Sequence, residues 1–310
     1  MDDKIFIGID TSNYTTSVCA FADGRIISKR KVLPVKSGQR GLRQSDAVFE
    51  HIRTLPLLYK ELVSEIDAGK ISAVGVSVRP RNIEGSYMPV FVAGQSFAEV
   101  ISDTLGVPVY CFSHQEGHIA AAVATDGKTE YLNNKFLSVH LSGGTCEILK
   151  TEYKDNHFIC DIAGKTTDIS AGQFIDRVGV SMGLAFPCGR ELEKIAIESK
   201  NPYKFPVSVK NNDISFSGVE TKAQSLVGNI SNSDLAMGVF LCIAETLKKA
   251  VMNVKGDISD ILFVGGVAAN GIIRKHMKLP MNVHFCSREY ASDNAAGIAY
   301  LTMLSERGEI

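Results

Sequence analysis

At 310 residues, 45% of them hydrophobic and 22% charged, the chain can bury a sizeable core and is long enough for two packed lobes. Thirty-three basic against thirty-four acidic side chains leave a formal net charge of -1, so no global basic field exists and a nucleic-acid partner has to meet a local patch or another subunit. No apolar run is long enough to span a bilayer, and Ile5 to Ile9 runs straight into polar residues instead of forming a leader, which predicts a cytoplasmic protein without a membrane partner.

The pattern opens with a predicted strand from Lys4 to Asp10, a turn, a strand from Thr16 to Ala22, a turn at Asp23-Gly24 and a strand from Arg25 to Leu33, an antiparallel meander. A long amphipathic helix from about Leu42 to Ile66, a strand from Ile71 to Val78, a helix from about Met88 to Leu105 and a strand from Val107 to Phe112 complete a first α/β lobe over residues 1–112. Residues 113–135 form an alanine-rich helix and a polar connection. The pattern then restarts with strands Phe136 to Leu141, Cys146 to Tyr153 and Phe158 to Ile162. Helices are predicted near Ser170 to Met182, Arg190 to Ser199, Gly218 to Gly228 and Ser233 to Val254. A strand from Asp260 to Val264, a helix from Ala268 to Met277, a short strand from Val283 to Phe285 and a last helix close the second lobe, residues 136–310, with its helical insertion. Two lobes that each begin with a three-strand meander imply an internal structural duplication. The seven cysteines are scattered without any C-x-x-C and read as reduced core thiols, with Cys188 in a glycine-proline loop the one expected at the surface.

The segment Ser113-His114-Gln115-Glu116-Gly117-His118 carries the sharpest chemistry. With Ser113 as N-cap, the imidazoles of His114 and His118 lie four residues apart on one helix face, within reach of a single ion; the alternative is that one of them caps or packs. A zinc peptidase would place glutamate directly after the first histidine, where this chain has Gln115, so the peptidase reading is weak. Three turns could present backbone N–H groups to phosphate: Asp10 to Thr16, Leu141-Ser142-Gly143-Gly144-Thr145 and Gly265-Gly266-Val267-Ala268-Ala269-Asn270. Singly each reads as a plain tight turn. Together, at matching points of a duplicated lobe, they point to nucleotide binding.

These residues resemble the actin, sugar kinase and heat-shock ATPase (ASKHA) superfamily and, within it, the TsaD family, once called glycoprotease or O-sialoglycoprotein endopeptidase and classed as peptidase M22. The likeness runs almost end to end, through Ile7 to Ser12, His114 to His118, Ser142-Gly143-Gly144, Asp168 to Asp176, Pro187-Cys188-Gly189, Ser215 to Gly218, Gly265 to Asn270 and Ser292 to Ala296. It implies an α/β, two-lobed fold with duplicated ribonuclease H-like lobes, and transfer of a threonylcarbamoyl group from threonylcarbamoyl-AMP to N6 of the adenosine beside a tRNA anticodon. It further implies a divalent metal, Fe2+ or Zn2+ with Mg2+ as a further candidate, held by His114, His118 and Asp293 in a cleft between the lobes. His140, Leu141, Ser142, Gly143 and Gly144 would cradle the phosphate or acyl portion of an adenine nucleotide or acyl-adenylate. Asp176 and Asn270 would bind ribose or base, and Gly189 would let the nucleotide lie against backbone. From the sequence itself Asp176 is equally a solvated helix carboxylate, and Asn270 and Asp293 are equally helix N-caps.

The chain departs from the family in several places. Thr145 stands where the second glycine turn usually continues with histidine, and Asn13, Tyr14, Thr15 and Thr16 replace acidic residues of the opening loop. Arg79-Pro80-Arg81-Asn82 replaces a glycine-proline-glycine turn and adds two positive charges, Gln173 replaces a frequent glutamate, and Val219-Glu220-Thr221 follows Ser-Phe-Ser-Gly without the usual lysine. Two further readings therefore stand beside threonylcarbamoyl transfer: a diverged relative acting as kinase, ATPase or carbamoyltransferase on another anionic small molecule, and a non-catalytic nucleotide-binding regulatory subunit. The expected partners are TsaB-like and TsaE-like subunits and tRNA under the first reading, a small-molecule substrate under the second, with a homodimer as a further candidate assembly.

Overall fold

The computed structural model describes residues 4–12, 14–34, 42–291 and 294–308, and the chain divides into two units. The first comprises Met1–Asn133, Tyr153–Ile159 and Glu289–Ile310; the second comprises Asn134–Glu152 and Cys160–Arg288. Among the described residues, no helix is long and apolar enough to cross a membrane.

In the first unit, β1 (Ile5–Asp10) is apolar up to its last residue and buried along its whole length, as a strand covered on both faces must be. β2 (Thr15–Ala22) and β3 (Arg25–Val32) continue antiparallel, reversed at Asp23 and Gly24, both in the left-handed region that a two-residue hairpin requires. α1 (Gln44–Val63) leads to β4 (Ile71–Arg79), parallel to β1, and α2 (Val90–Leu105) leads to β5 (Val109–Ser113), parallel to β4. The sheet order is β3-β2-β1-β4-β5. On one face Ile7, Ile9, Val74 and Val76 pack with Leu55, Leu58 and Leu62 of α1 and Ala98 and Ile101 of α2. The other face takes the C-terminal helix, α9 (Ala295–Arg307), so closely that a Cβ on Gly8 would fall inside contact distance of the Ala295 and Ala299 backbone. α3 (His114–Asp126) packs against α9.

The second unit repeats the plan. β6 (Phe136–Leu141) and β7 (Cys146–Lys154) are antiparallel, β8 (His157–Lys165) follows through Asp155 and Asn156, and β11 (Asp260–Val264) and β12 (Asn282–Phe285) add parallel strands in the order β12-β11-β6-β7-β8. Numbered within each unit, both sheets read 3-2-1-4-5, which establishes the duplication expected from the paired meanders. Between β8 and β11 come α4 (Ala171–Ser181), α5 (Gly189–Ile197), a hairpin of β9 (Val209–Lys210) and β10 (Asp213–Ile214), α6 (Ser217–Leu226) and α7 (Asn232–Val254). α7 sends Leu235, Val239, Ile243, Leu247 and Val251 into a core shared with Leu137, Val139 and Phe263. That i, i+4 stripe is what an amphipathic helix must bury.

Four expectations are corrected. The division differs from boundaries drawn along the chain, because residues 113–133 and 289–310 belong to the first unit: α3 and α9 pack on each other, and α9 on β1. The helix expected from Ala268 to Met277 is interrupted; a tight 3-10 turn over Gly266–Ala269 ends at Asn270, whose backbone is extended, and α8 (Gly271–His276) starts after it. β9 and β10, two residues each, are too short to show a periodicity. Cys188 is buried, its thiol directed at the carbonyls of Asp176 and Ala185 at 3.5 and 3.4 Å, while the exposed thiol is Cys111; all seven cysteines are unbridged.

Candidate active site

The histidine pair of the first unit is set by the junction of β5 and α3. Ser113 ends the strand and N-caps the helix in a reciprocal box, its hydroxyl accepting from Glu116 N at 3.3 Å while the Glu116 carboxylate accepts from Ser113 N at 2.8 Å and Oγ at 2.6 Å. This makes His114 the first helical residue and brings His118 beneath it, their ring centroids 4.7 Å apart. Glu116 also receives His157 Nδ1 at 2.8 Å on its other oxygen, and that hydrogen bond raises the His157 pKa. The carboxylate is thus fully engaged as cap and ion-pair partner, and Gln115 has only an amide, so no general base of the zinc-peptidase kind stands beside His114.

Asp10, at the end of β1, orients that histidine. Its Oδ1 accepts from Ser77 Oγ at 2.5 Å and faces His114 Nδ1 at 2.9 Å, and its Oδ2 accepts from Ser12 N at 3.2 Å. Burial pushes the Asp10 carboxyl up, but the charge attraction of His114 and the hydrogen bonds from His114, Ser77 and Ser12 outweigh it and hold the group below its ordinary 3.8. An ionised Asp10 keeps the proton of His114 on Nδ1 and leaves Nε2 as the ligating nitrogen, the arrangement commonly seen behind metal-binding histidines. Asn294, at the N-terminus of α9, reaches both rings: its Nδ2 lies 2.6 Å from His114 Nδ1, 3.0 Å from His114 Nε2 and 3.3 Å from His118 Nε2. Asp293 lies outside the described residues, as does Asn13, and among the described residues no three His, Cys, Asp or Glu side chains gather as a metal cluster. The two imidazoles nevertheless suit a divalent ion, because both Nε2 atoms approach one point and a buried carboxylate fixes the tautomer of the first.

Neither Asp10 nor Asn294 carried a role in the sequence reading. Asp10 had a signal, a carboxylate ending a buried strand; Asn294 had none, since its place beside the histidines depends on α9 returning to the first sheet. His51 was missed as well. It is buried on α1 with Nδ1 2.8 Å from Thr16 Oγ1, and burial pushes its pKa down to about 4, so it is neutral at physiological pH. The Arg79-Pro80-Arg81-Asn82 segment follows β4 and crosses the start of α3, where Gln115 N donates to Pro80 O at 3.0 Å; Arg79 Nη2 donates to Asn82 Oδ1 at 2.5 Å.

In the second unit the expected nucleotide residues lie around the carboxyl ends of β6 and β11, where open α/β sheets hold ligands. His140 and Leu141 are buried strand residues, so Leu141 offers only backbone. The turn after them is held by Ser142, whose Oγ accepts from Thr145 N at 2.9 Å and Gly144 N at 3.3 Å; Gly143 and Gly144 are exposed, with open space beside each α-carbon. Gly265 begins the neighbouring turn at φ +93°, and a Cβ there would press into the Leu141 carbonyl, so the two turns touch through a position only glycine fills. The Gly143 carbonyl accepts from Ser170 Oγ at 2.7 Å at the N-cap of α4, where Gln173 completes a capping box in place of glutamate. Asp176, half-buried on α4, accepts from Cys188 N at 2.7 Å, and burial pushes its carboxyl up. That contact brings Asp176 beside Gly189, which opens α5 with open space around its α-carbon. Asn270 acts as a cap, its Oδ1 accepting from Ile273 N at 2.9 Å. Asp168, exposed and without an assigned role from sequence, gathers the Ser215–Ser217 segment by accepting from both serine hydroxyls at 2.6 Å and from Phe216 N at 2.9 Å, which holds its carboxyl well below the usual carboxylate range.

The fold has solved counterparts among ASKHA proteins. The activator of 2-hydroxyisocaproyl-CoA dehydratase from Clostridium difficile, with bound ADPNP, matches at a TM-score of 0.57 and 16% identity over 98% of this chain and 97% of its own. A ROK family glucokinase from Streptomyces griseus, in complex with glucose and AMPPNP, matches at 0.55 and 12% identity over 98% and 100%. In sequence, the tRNA N6-adenosine threonylcarbamoyltransferase of Thermosipho africanus is 29% identical over 315 residues, covering 95% of this chain and 92% of that protein. The family model for TsaD, tRNA N6-adenosine threonylcarbamoyltransferase, matches residues 27–300. With a buried aspartate holding the first of two paired histidines on one unit and paired glycine turns on the other, and a family match spanning both, the chain belongs to the TsaD family.

Proposed function

We propose that the protein transfers a threonylcarbamoyl group from threonylcarbamoyl-AMP to N6 of the adenosine beside the anticodon of a tRNA. The observation that carries the reading is the Asp10-oriented imidazole pair of α3 within a chain that matches the TsaD family over residues 27–300. In the reaction the adenosine N6 attacks the carbamoyl carbon, a C–N bond forms, the anhydride C–O bond to phosphate breaks, AMP departs, and N6 gives up a proton. His114, His118 and Asp293 would hold the divalent ion, Fe2+ or Zn2+, which when bound supplies a Lewis acid for a carbonyl or phosphate oxygen. Asp10 keeps the His114 tautomer that binding needs. Backbone N–H groups at Ser142, Gly143 and Gly144 would bind the phosphate, Asp176 the ribose or base, and Gly189 would allow close approach of the nucleotide. TsaB-like and TsaE-like subunits are the partners this reading requires, and the near-zero net charge suits delivery of tRNA by such an assembly.

One feature favours a second reading. Arg79 and Arg81 flank the Pro80 carbonyl that meets Gln115 of α3, which places two guanidinium groups on the segment next to His114, suited to clamp a further anionic group on a small-molecule substrate.

Purified protein incubated with tRNA, threonylcarbamoyl-AMP and the partner subunits should form the modified adenosine, and His114→Ala should abolish it. No product, while a typical family enzyme works in the same mixture and the protein is folded, would overturn the assignment in favour of the small-molecule reading.

A further inference from the structure

The short contacts around Asn294 are chemically uneven. Its side chain is 2% exposed, and its Oδ1 has no hydrogen-bond partner among the described residues, whereas its Nδ2 faces three ring nitrogens. His114 Nδ1 lies against both the Asp10 carboxylate and Asn294 Nδ2. If Nδ1 carries the proton toward Asp10, the amide NH2 confronts a second donor; if it does not, the carboxylate confronts a lone pair. No proton placement satisfies both contacts while the amide is turned this way. Exchanging the amide oxygen and nitrogen removes the donor–donor conflict and turns a carbonyl oxygen toward the two Nε2 atoms. Which end of an amide faces its neighbours is decided by such networks.

The spacing then matches a coordination shell. Donor atoms about 2.1 Å from one ion are separated by about 3.0 Å at octahedral and about 3.4 Å at tetrahedral angles. The Asn294 amide terminus lies 3.0 and 3.3 Å from the two Nε2 atoms. Its position is built in. Asn294 sits at the start of α9, and Gly117, between the two histidines on α3, is so close that an added Cβ would meet Asn294 Cβ at 3.2 Å and its carbonyl at 3.3 Å.

We infer that Asn294 is itself a metal ligand through Oδ1, its amide donating toward the imidazoles in the metal-free protein and turning over when an ion joins His114 and His118. The inference rests on the metal reading above and adds an oxygen donor from this chain to it.

Co2+ alone, titrated into the whole protein and followed by its visible absorption, tests it. Asn294→Ala should weaken binding by at least the ten- to hundredfold that loss of even an outer partner of a metal ligand causes, and should change the spectrum. Asn294→Asp, which keeps an oxygen in place, should bind at least as tightly as the wild type with an altered spectrum. Wild-type affinity and spectrum in Asn294→Ala, with His114→Ala no longer binding, would overturn the role of Asn294 and leave the metal reading intact. Failure of the wild type to bind Co2+ would overturn both. Should Asn294→Ala not fold, judged by its metal-free circular dichroism, Asn294→Asp decides: no binding, or a spectrum identical to the wild type, refutes the inference.

Discussion

The crossing of α3 and α9 decides whether the histidines and Asn294 meet, and Gly297→Ala perturbs that crossing directly. A Cβ on Gly297 would lie 2.5 Å from Ala121 N and 2.8 Å from Gly117 C, with the Gly117 carbonyl oxygen closer still. Ordinary carbon contacts begin near 3.5 Å, so α9 has to back away from α3 by roughly an ångström. Overpacking of this kind costs about 1–3 kcal/mol, offset by the ~1 kcal/mol that alanine gains over glycine in a helix. A net loss of about 1–2 kcal/mol corresponds to a fall of roughly 2–8 °C in melting temperature for a domain of this size. Metal binding should suffer more than stability, because ligand distances tolerate only about 0.2 Å and Asn294 moves with its helix; Co2+ affinity should drop at least tenfold. Gly218→Ala is the matched control: it lies in α6 with nothing within 4 Å of the added carbon, so it should be neutral or stabilising. The assays are thermal melts followed by circular dichroism in chelator, and Co2+ titration. A Gly297→Ala protein that melts with the control and binds Co2+ like the wild type would refute the close-packing argument and its link to the site.

Two further outcomes are expected. Gly189→Ala meets no protein atom within 4 Å, so its melting temperature should not fall, while affinity for a fluorescent adenine nucleotide should drop at least tenfold; unchanged affinity would remove Gly189 from the nucleotide site. Asp168→Ala should destabilise the protein by about 2 kcal/mol in urea titration at pH 7, in the range for losing a charged capping group. Because the Asp168 pKa is lowered from 3.8 on folding, its stabilisation is complete above that value and is lost as pH falls below it. The gap between wild type and variant should therefore hold from pH 7 to about 5 and narrow below about 4; a gap that widens in acid would contradict the hydrogen-bond account.

Local chemistry was legible in the chain. The uniform apolarity of Ile5–Asp10 and Phe136–Leu141, the turn at Asp23-Gly24 and the Ser113 cap each follow from a few neighbouring residues, and each formed as read. The same local rules put His114 and His118 on one helix face and gave Asn270 its capping alternative. Long-range placement was not legible. Cys188 sits in a loop that looked exposed, yet its neighbours' carbonyls enclose the thiol, and Asp168 drew no attention until Ser215 and Ser217 arrived at its oxygens from nearly fifty residues away. Asn294 beside the histidine pair is the clearest case. Its position comes from the C-terminal helix returning to the first sheet through contacts at Gly8, Gly117 and Gly297, and a glycine in a sequence does not disclose which backbone will lie against it. Periodicity and capping act within a few residues and are written in the chain; the tautomer of His114, set by Asp10 from over a hundred residues away, exists only once the strands and helices have packed.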